Sequence, residues 1–200
     1  MTQPNKLRAF DLFETIAIVH GKPQNLAYHQ HRYACSLAKF YPNTPYHVFD
    51  LADVLQNFLA KNPPTHDLMR CRVDYHASDM AMTLAAYQRK RAMTFCPVIC
   101  DDIDYSLKFT NRHPLNALRQ QRGECDEVII IKQGLVTDCT IGNLVFRKNN
   151  HWYTPSTPLL QGTQRAKLLA EQRIQARPIW LSDIERYEEI RLINALNPLD

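Results

Sequence analysis

Glycine is scarce in this chain, with five in 200 residues and none spaced as G-x-G-x-x-G or as a P-loop, so no glycine-rich turn is available to cradle a nucleotide. A G-x-S-x-G elbow is also absent, which removes the nucleophile of an α/β-hydrolase. Long apolar runs are missing too. A stretch such as Val128 to Ile131 is far short of the ~20 residues that a membrane-spanning helix needs, and no membrane partner is expected. The first residues contain no apolar signal-like segment, so a cytoplasmic location is expected, with the six irregularly spaced cysteines as reduced thiols. Cys96 and Cys100 lack a second pair at zinc-ligand spacing, and no metal site is expected. The charge is balanced, 24 Lys+Arg against 20 Asp+Glu, and dispersed, which leaves no electrostatic footprint for nucleic acid.

What is present is an ordinary globular composition, 45% hydrophobic and 22% charged, with patterns of both periods. Residues 12–19 are apolar and β-branched and stop at His20-Gly21-Lys22-Pro23, which predicts a strand and a turn. Asn25 is a plausible N-cap for a helix carrying Leu26, Tyr33, Leu37 and Phe40, and Asp50 precedes a second helix that Pro63-Pro64 ends. On the first of these, His29 and His31 point to different faces and read as surface or packing histidines. Residues 68–75 and 80–90 predict an antiparallel pair across His76-Ala77-Ser78-Asp79. Around 95–104 the pattern weakens, with Pro97 and the acids Asp101, Asp102 and Asp104, which predicts a crossing segment. A short helix over 112–121 follows, closed by Gly123. Two hairpins then turn at Gln133-Gly134 and at residues 148–151 and imply one mixed or antiparallel sheet. A helix from Gly162 to Gln172, a capping box of Ser182 with Glu185, and a strand over 190–194 complete an α+β chain. The expected division is an N-terminal domain 1–96, a linker 97–104 and a C-terminal domain 105–200.

Three features carry possible chemistry: Lys108 in a short polar segment, Asp138 at a strand end, and the helix start Gly162-Thr163-Gln164-Arg165. Pyridoxal phosphate needs this set, namely an amine for a Schiff base, a carboxylate against the pyridine nitrogen, and anion donors for the phosphate. Taken singly, Arg32 reads as a helix-surface cation, Lys108 as a solvated loop lysine, Asp138 as a turn or cap residue and Asn194 as a strand-end hydrogen bonder.

In order along the chain, Phe13-Glu14-Thr15-Ile16, His29-Gln30-His31-Arg32, Lys108-Phe109-Thr110-Asn111-Arg112, Val136-Thr137-Asp138 through Asn143-Leu144, Tyr153-Thr154-Pro155, Leu159 through Arg165, and Ile193-Asn194-Ala195-Leu196 resemble the motifs of fold-type IV pyridoxal-phosphate enzymes. These are the class-IV aminotransferases, which include branched-chain and D-amino-acid aminotransferases and aminodeoxychorismate lyase. The resemblance implies a two-domain D-amino-acid-aminotransferase-like fold with a small N-terminal α/β domain and a larger mixed-sheet C-terminal domain. It implies Lys108 as the catalytic Schiff-base lysine, with Arg32, Asp138, Ile141, Gly142, Gly162, Thr163 and Gln164 binding pyridoxal 5'-phosphate. Arg112 and Asn194 are implied on the substrate side, the substrate being a small molecule with an amino group. A homodimer follows from the family alone.

Two departures accompany the resemblance. Asp138 stands where the family has a glutamate, one methylene longer, and Phe13 lies almost at the start, where members carry a further strand and loop beside the substrate. The implied substrate side is therefore open, rebuilt, or completed by another subunit. Lys108-Phe109-Thr110-Asn111-Arg112 and Ile193-Asn194-Ala195-Leu196 resemble the lyase versions, which implies elimination releasing pyruvate and 4-aminobenzoate. An aminotransferase for D-amino or branched-chain acids is the alternative, and a non-catalytic homologue of the fold a second one.

Overall fold

The computed structural model describes residues 10–89 and 91–199. Its first layer is a four-stranded antiparallel sheet in the order β2-β1-β3-β4, from β1 (Leu12–Val19), β2 (Lys22–Pro23), β3 (Leu68–Tyr75) and β4 (Met80–Ala86). Period-2 alternation sorts its side chains. Leu12, Ile16 and Ile18 of β1, with Met69, Cys71, Val73 and Tyr75 of β3, pack against Tyr33 and Leu37 of α1 (Leu26–Phe40) and Leu51 and Leu55 of α2 (Leu51–Lys61). The opposite face carries Phe13, Thr15 and Ala17 across from Asp74, Arg72 and Arg70, and is left for something other than a helix.

The rest of the chain stacks two more sheets. β5 (Phe95–Ile99), β6 (Glu127–Lys132) and β7 (Leu135–Val136) form one, and β8 (Asn143–Lys148), β9 (His151–Pro155), β10 (Gln175–Arg177) and β11 (Glu189–Ile193) the other, in the order β10-β9-β8-β11. β6 is buried on both faces. Its Ile129 and Ile131 meet Leu144 and Phe146 of β8, while Val128 and Ile130 meet Leu115 and Leu118 of α3 (His113–Gln120). α4 (Thr163–Ala170) covers the far side of β8 and β11 through Leu168.

Several expectations need correction. The stretch at 95–99, expected as a crossing segment, is β5, running parallel to β6; Pro97 is tolerated because β5 is an edge strand that need not donate on both sides. The two hairpins belong to different sheets, not one, because the core between β6 and β8 separates them. β4 ends at Ala86, short of the expected residue 90. β10 was not anticipated; three residues pair in parallel with β9, a contact no local pattern encodes. Asn25 stands at the N-cap position but in left-handed backbone, φ 54°, and its side chain makes no cap. The Ser182 to Glu185 box is replaced by Asp183, whose carboxylate accepts from the Trp180 N–H at 3.4 Å. No helix among the described residues is long and apolar enough to cross a membrane.

Candidate active site

Lys108 is placed by backbone rather than by a regular element. Its carbonyl accepts from the Phe13 N–H at 3.0 Å, and the Thr110 N–H donates to the Asp11 carbonyl at 2.9 Å, so this segment lies along the start of β1. The Lys108 Nζ then sits over the Phe13 ring, 4.6 Å from its centroid. Loss of hydration disfavours the ammonium, and the Arg32 charge adds repulsion, bringing its pKa down to about 7. An amine in that range is available as a nucleophile and proton acceptor at neutral pH.

Asp138 is buried. Its carboxylate accepts from the Asn143 Nδ2 at 2.7 Å and from the Leu160 N–H at 2.9 Å. Burial nevertheless pushes its pKa up to about 7, since the two donors and the more distant Arg165 only partly offset lost hydration. A cation beside this carboxyl would find a partner that ionises on its arrival.

Glu14 occupies the helix-facing side of β1, in line with Leu12, Ile16 and Ile18, and is fully buried. Such a charge persists only if paired. Arg32 supplies the pair, from Nε at 2.8 Å and from a terminal nitrogen to the other carboxylate oxygen, and His29 Nδ1 lies at 2.7 Å. Burial opposes ionisation, but Arg32 and His29 prevail and hold the Glu14 carboxyl down at about 2. Beside an ionised Glu14, His29 Nδ1 must donate, which leaves Nε2 to accept from the Thr163 hydroxyl at 3.3 Å. His29 is thus a buried connector and His31 an exposed residue.

The remaining Arg32 nitrogen, Nη1, donates to the Gln161 carbonyl at 3.2 Å, bringing a guanidinium beside the start of α4. The first N–H groups of a helix have no intrahelical acceptor, so the pair forms an anion-binding end. Gly162 is required there: a Cβ would come within 1.9 Å of the Asn143 Oδ1. Gly142 is equally constrained, since a Cβ would lie 2.5 Å from the Ile193 carbonyl oxygen.

These groups converge on one cavity of about 370 Å³, whose wall includes Arg32, Lys108, Arg112, Asp138, Ile141, Gly142, Gly162, Thr163 and Asn194. Gln164 lies off the wall, its Oε1 accepting from the Asn25 Nδ2 at 2.8 Å. Arg112 is fixed by the Thr140 carbonyl at 2.6 Å and the Tyr105 hydroxyl at 3.2 Å, and Asn194 by the Ile141 carbonyl at 3.1 Å. Arg165 does not face the cavity; it tethers α4 to Pro155 O at 2.9 Å.

Glu14, His29 and Asn143 were not anticipated as site residues. A carboxylate on an otherwise apolar strand face is a readable sign for Glu14, and it asks for a cation nearby. Asn143, which also donates to the Leu160 carbonyl at 2.9 Å, stands in a segment that resembles the family's motifs, but no local pattern marks its role.

The family model of amino-transferase class IV matches residues 11–199, and the chain belongs to that family. An uncharacterised protein of Haemophilus influenzae is 50% identical over 190 residues, 95% of this chain and all of that one. The crystal structure of a "putative 4-amino-4-deoxychorismate lyase" from Haemophilus somnus superposes with a TM-score of 0.90 at 55% identity, covering 95% of this chain and 98% of that one. A fold IV-transaminase from Curtobacterium pusillum shares the fold, with a TM-score of 0.75 at 16% identity over 96% of this chain and 77% of that one.

Proposed function

We propose that this class IV family member holds pyridoxal phosphate and catalyses a lyase reaction of the aminodeoxychorismate-lyase kind, releasing pyruvate and 4-aminobenzoate. The observation that carries the reading is the convergence on one cavity wall of the depressed Lys108 amine, the raised Asp138 carboxyl and the guanidinium of Arg32 beside the α4 N-terminus. The donor chemistry fits the cofactor group by group. Lys108 Nζ would take its aldehyde carbon, Asp138 would face its pyridine nitrogen, and Arg32 with the N–H groups at Thr163 and Gln164 would hold its phosphate. When bound, pyridoxal phosphate supplies an electron sink for the bonds of a substrate amine's carbon.

The chain's own residues then have defined tasks. Glu14 keeps Arg32 oriented and pays part of the desolvation of its charge. Asp138, whose pKa lies near 7 when alone, would ionise fully against a pyridinium and keep that nitrogen protonated. Lys108 Nζ would take the proton from the carbon bearing the substrate amine. Returned to the methylene carbon of the departing enolpyruvyl group, the same proton completes pyruvate, and loss of the ether bond leaves the ring aromatic. The likeness to the Haemophilus somnus protein supports the lyase over amino transfer.

The test is an absorbance spectrum of the protein incubated with pyridoxal phosphate and desalted, beside Lys108→Ala. A near-visible band retained by the wild type and lost in the variant is expected. Aminodeoxychorismate should then yield pyruvate and 4-aminobenzoate in equal amounts without an added oxo acid. Amino transfer to 2-oxoglutarate or pyruvate with no elimination would replace the lyase reading, and failure of the wild type to retain the band would remove the enzyme reading.

A further inference from the structure

The cavity wall contains more positive charge than holding pyridoxal phosphate requires. Five cations reach it, Arg32, Arg70, Arg72, Lys108 and Arg112, against one wall carboxylate, Asp138. Two of the five are already neutralised: Arg32 by Glu14, and Arg72 by Asp74, which its Nε and Nη2 grip at 2.6 to 2.8 Å. Arg72 is further fixed 3.9 Å from the centroid of the Phe13 ring. Lys108 is committed to the cofactor. Arg112 is hydrogen-bonded to neutral groups only, and Arg70 has no ion-pair partner among the described residues.

The sheet explains why Arg70 stays free. On β3 it lies directly between Ala17 of β1 and Ala85 of β4 in the strand register, and neither methyl group can supply a counter-charge or cover the guanidinium. It shares the outer, helix-free face of the sheet with Arg72, two residues on, and it is exposed where that face meets the cavity. A planar fork of donors at the open side of a cation-rich cavity matches a carboxylate.

We propose that Arg70 is a specificity-determining residue that binds one carboxylate of a dicarboxylate substrate, with Arg112 as the second surplus cation available to the other. The proposal rests on the lyase reading above, whose substrate class carries a ring carboxylate and an enolpyruvyl carboxylate. The selecting group is carried by β3, on the face that lines the cavity. Arg70 takes no part in bond making; it acts on KM and on discrimination.

The experiment titrates chorismate, which has both carboxylates but a hydroxyl in place of the amine, into the cofactor-loaded protein, with the heat of binding as readout. Arg70→Ala should weaken chorismate binding about tenfold or more, with Arg70→Lys recovering part of the loss. Added salt should weaken binding to the wild type more steeply than to Arg70→Ala, because one exposed charge pair is gone. With aminodeoxychorismate the loss should appear in KM rather than kcat. Folding is not at stake at an exposed position between alanines. Chorismate affinity unchanged in Arg70→Ala, or no chorismate binding by the wild type, overturns the assignment. Arg70-dependent binding of chorismate together with no pyruvate release from aminodeoxychorismate overturns the lyase reading while the carboxylate site stands.

Discussion

Arg32 grips both oxygens of Glu14 from one side and the Gln161 carbonyl from the other, so a single guanidinium ties β1, α1 and the approach to α4 together. Because Glu14 is fully buried and Arg32 nearly so, the pair is a structural commitment as well as a way of aiming a cation at the anion-binding end of α4.

Replacing Glu14 by Gln should destabilise the fold by about 3 kcal/mol, because it leaves the Arg32 charge buried with a neutral partner. The pH dependence gives a second reading. The Glu14 carboxyl is depressed from 4.5 to about 2 on folding, so its stabilisation is complete above pH 4.5 and is lost as the pH falls toward 2. Urea midpoints across that window should fall more steeply for the wild type than for Glu14→Gln. Parallel slopes would show that the pair is not formed in solution.

Asp138 should act with the opposite sign in a separate window. Its pKa rises from 3.8 to about 7 on folding, so the cofactor-free protein loses stability as the pH rises from 4 to 7 and then levels off. Asp138→Asn should flatten that decline. Added pyridoxal phosphate should do the same in the wild type, by giving the carboxylate a cation. The measurement is the denaturant midpoint against pH, with and without cofactor.

Lys108 should be the fastest-reacting lysine of the cofactor-free protein near pH 7.5. With its pKa near 7 most of the amine is neutral there, whereas an ordinary lysine near 10.5 is neutral to about one part in a thousand. Carbamylation by cyanate, mapped by mass spectrometry, should modify Lys108 first, and pyridoxal phosphate should protect it. Equal reaction at all lysines would contradict the depressed amine.

Gly162→Ala should destabilise the protein by about 1–3 kcal/mol and lower retention of pyridoxal phosphate, since the new methyl would be driven into the Asn143 amide that steadies Asp138. Asn143→Gly in the same chain should restore part of the stability without restoring retention. Thermal melting and retention after desalting separate the two effects, and an unaltered melting temperature in Gly162→Ala would refute the close approach.

Much of the secondary structure is readable along the chain because its causes are local. The alternation of β1 and β3, the proline pair after α2 and the positive-φ turn at Gln133-Gly134 each act over a few residues. What escaped is non-local. β5 is a strand because β6 accepts it as a parallel edge, and β10 because β9 does. Gln164 was legible as part of a helix start, yet the geometry turns its side chain to Asn25, 139 residues away in sequence.

The site divides in the same way. The residue types for a lysine, carboxylate and anion-cup chemistry are written in order in the sequence, because each must be covalently present whatever the fold. Their effective properties are not. Lys108 and Asp138 both reach the neutral range only because folding strips water from them, and Glu14 stays ionised only because Arg32 and His29 arrive from α1. Charge state depends on hydration and on neighbours within a few ångströms, and tertiary packing alone sets both. The sequence determined which groups this protein has to work with; the tertiary structure decided which of them are charged, which are paired, and that Arg70 has no ion-pair partner among the described residues.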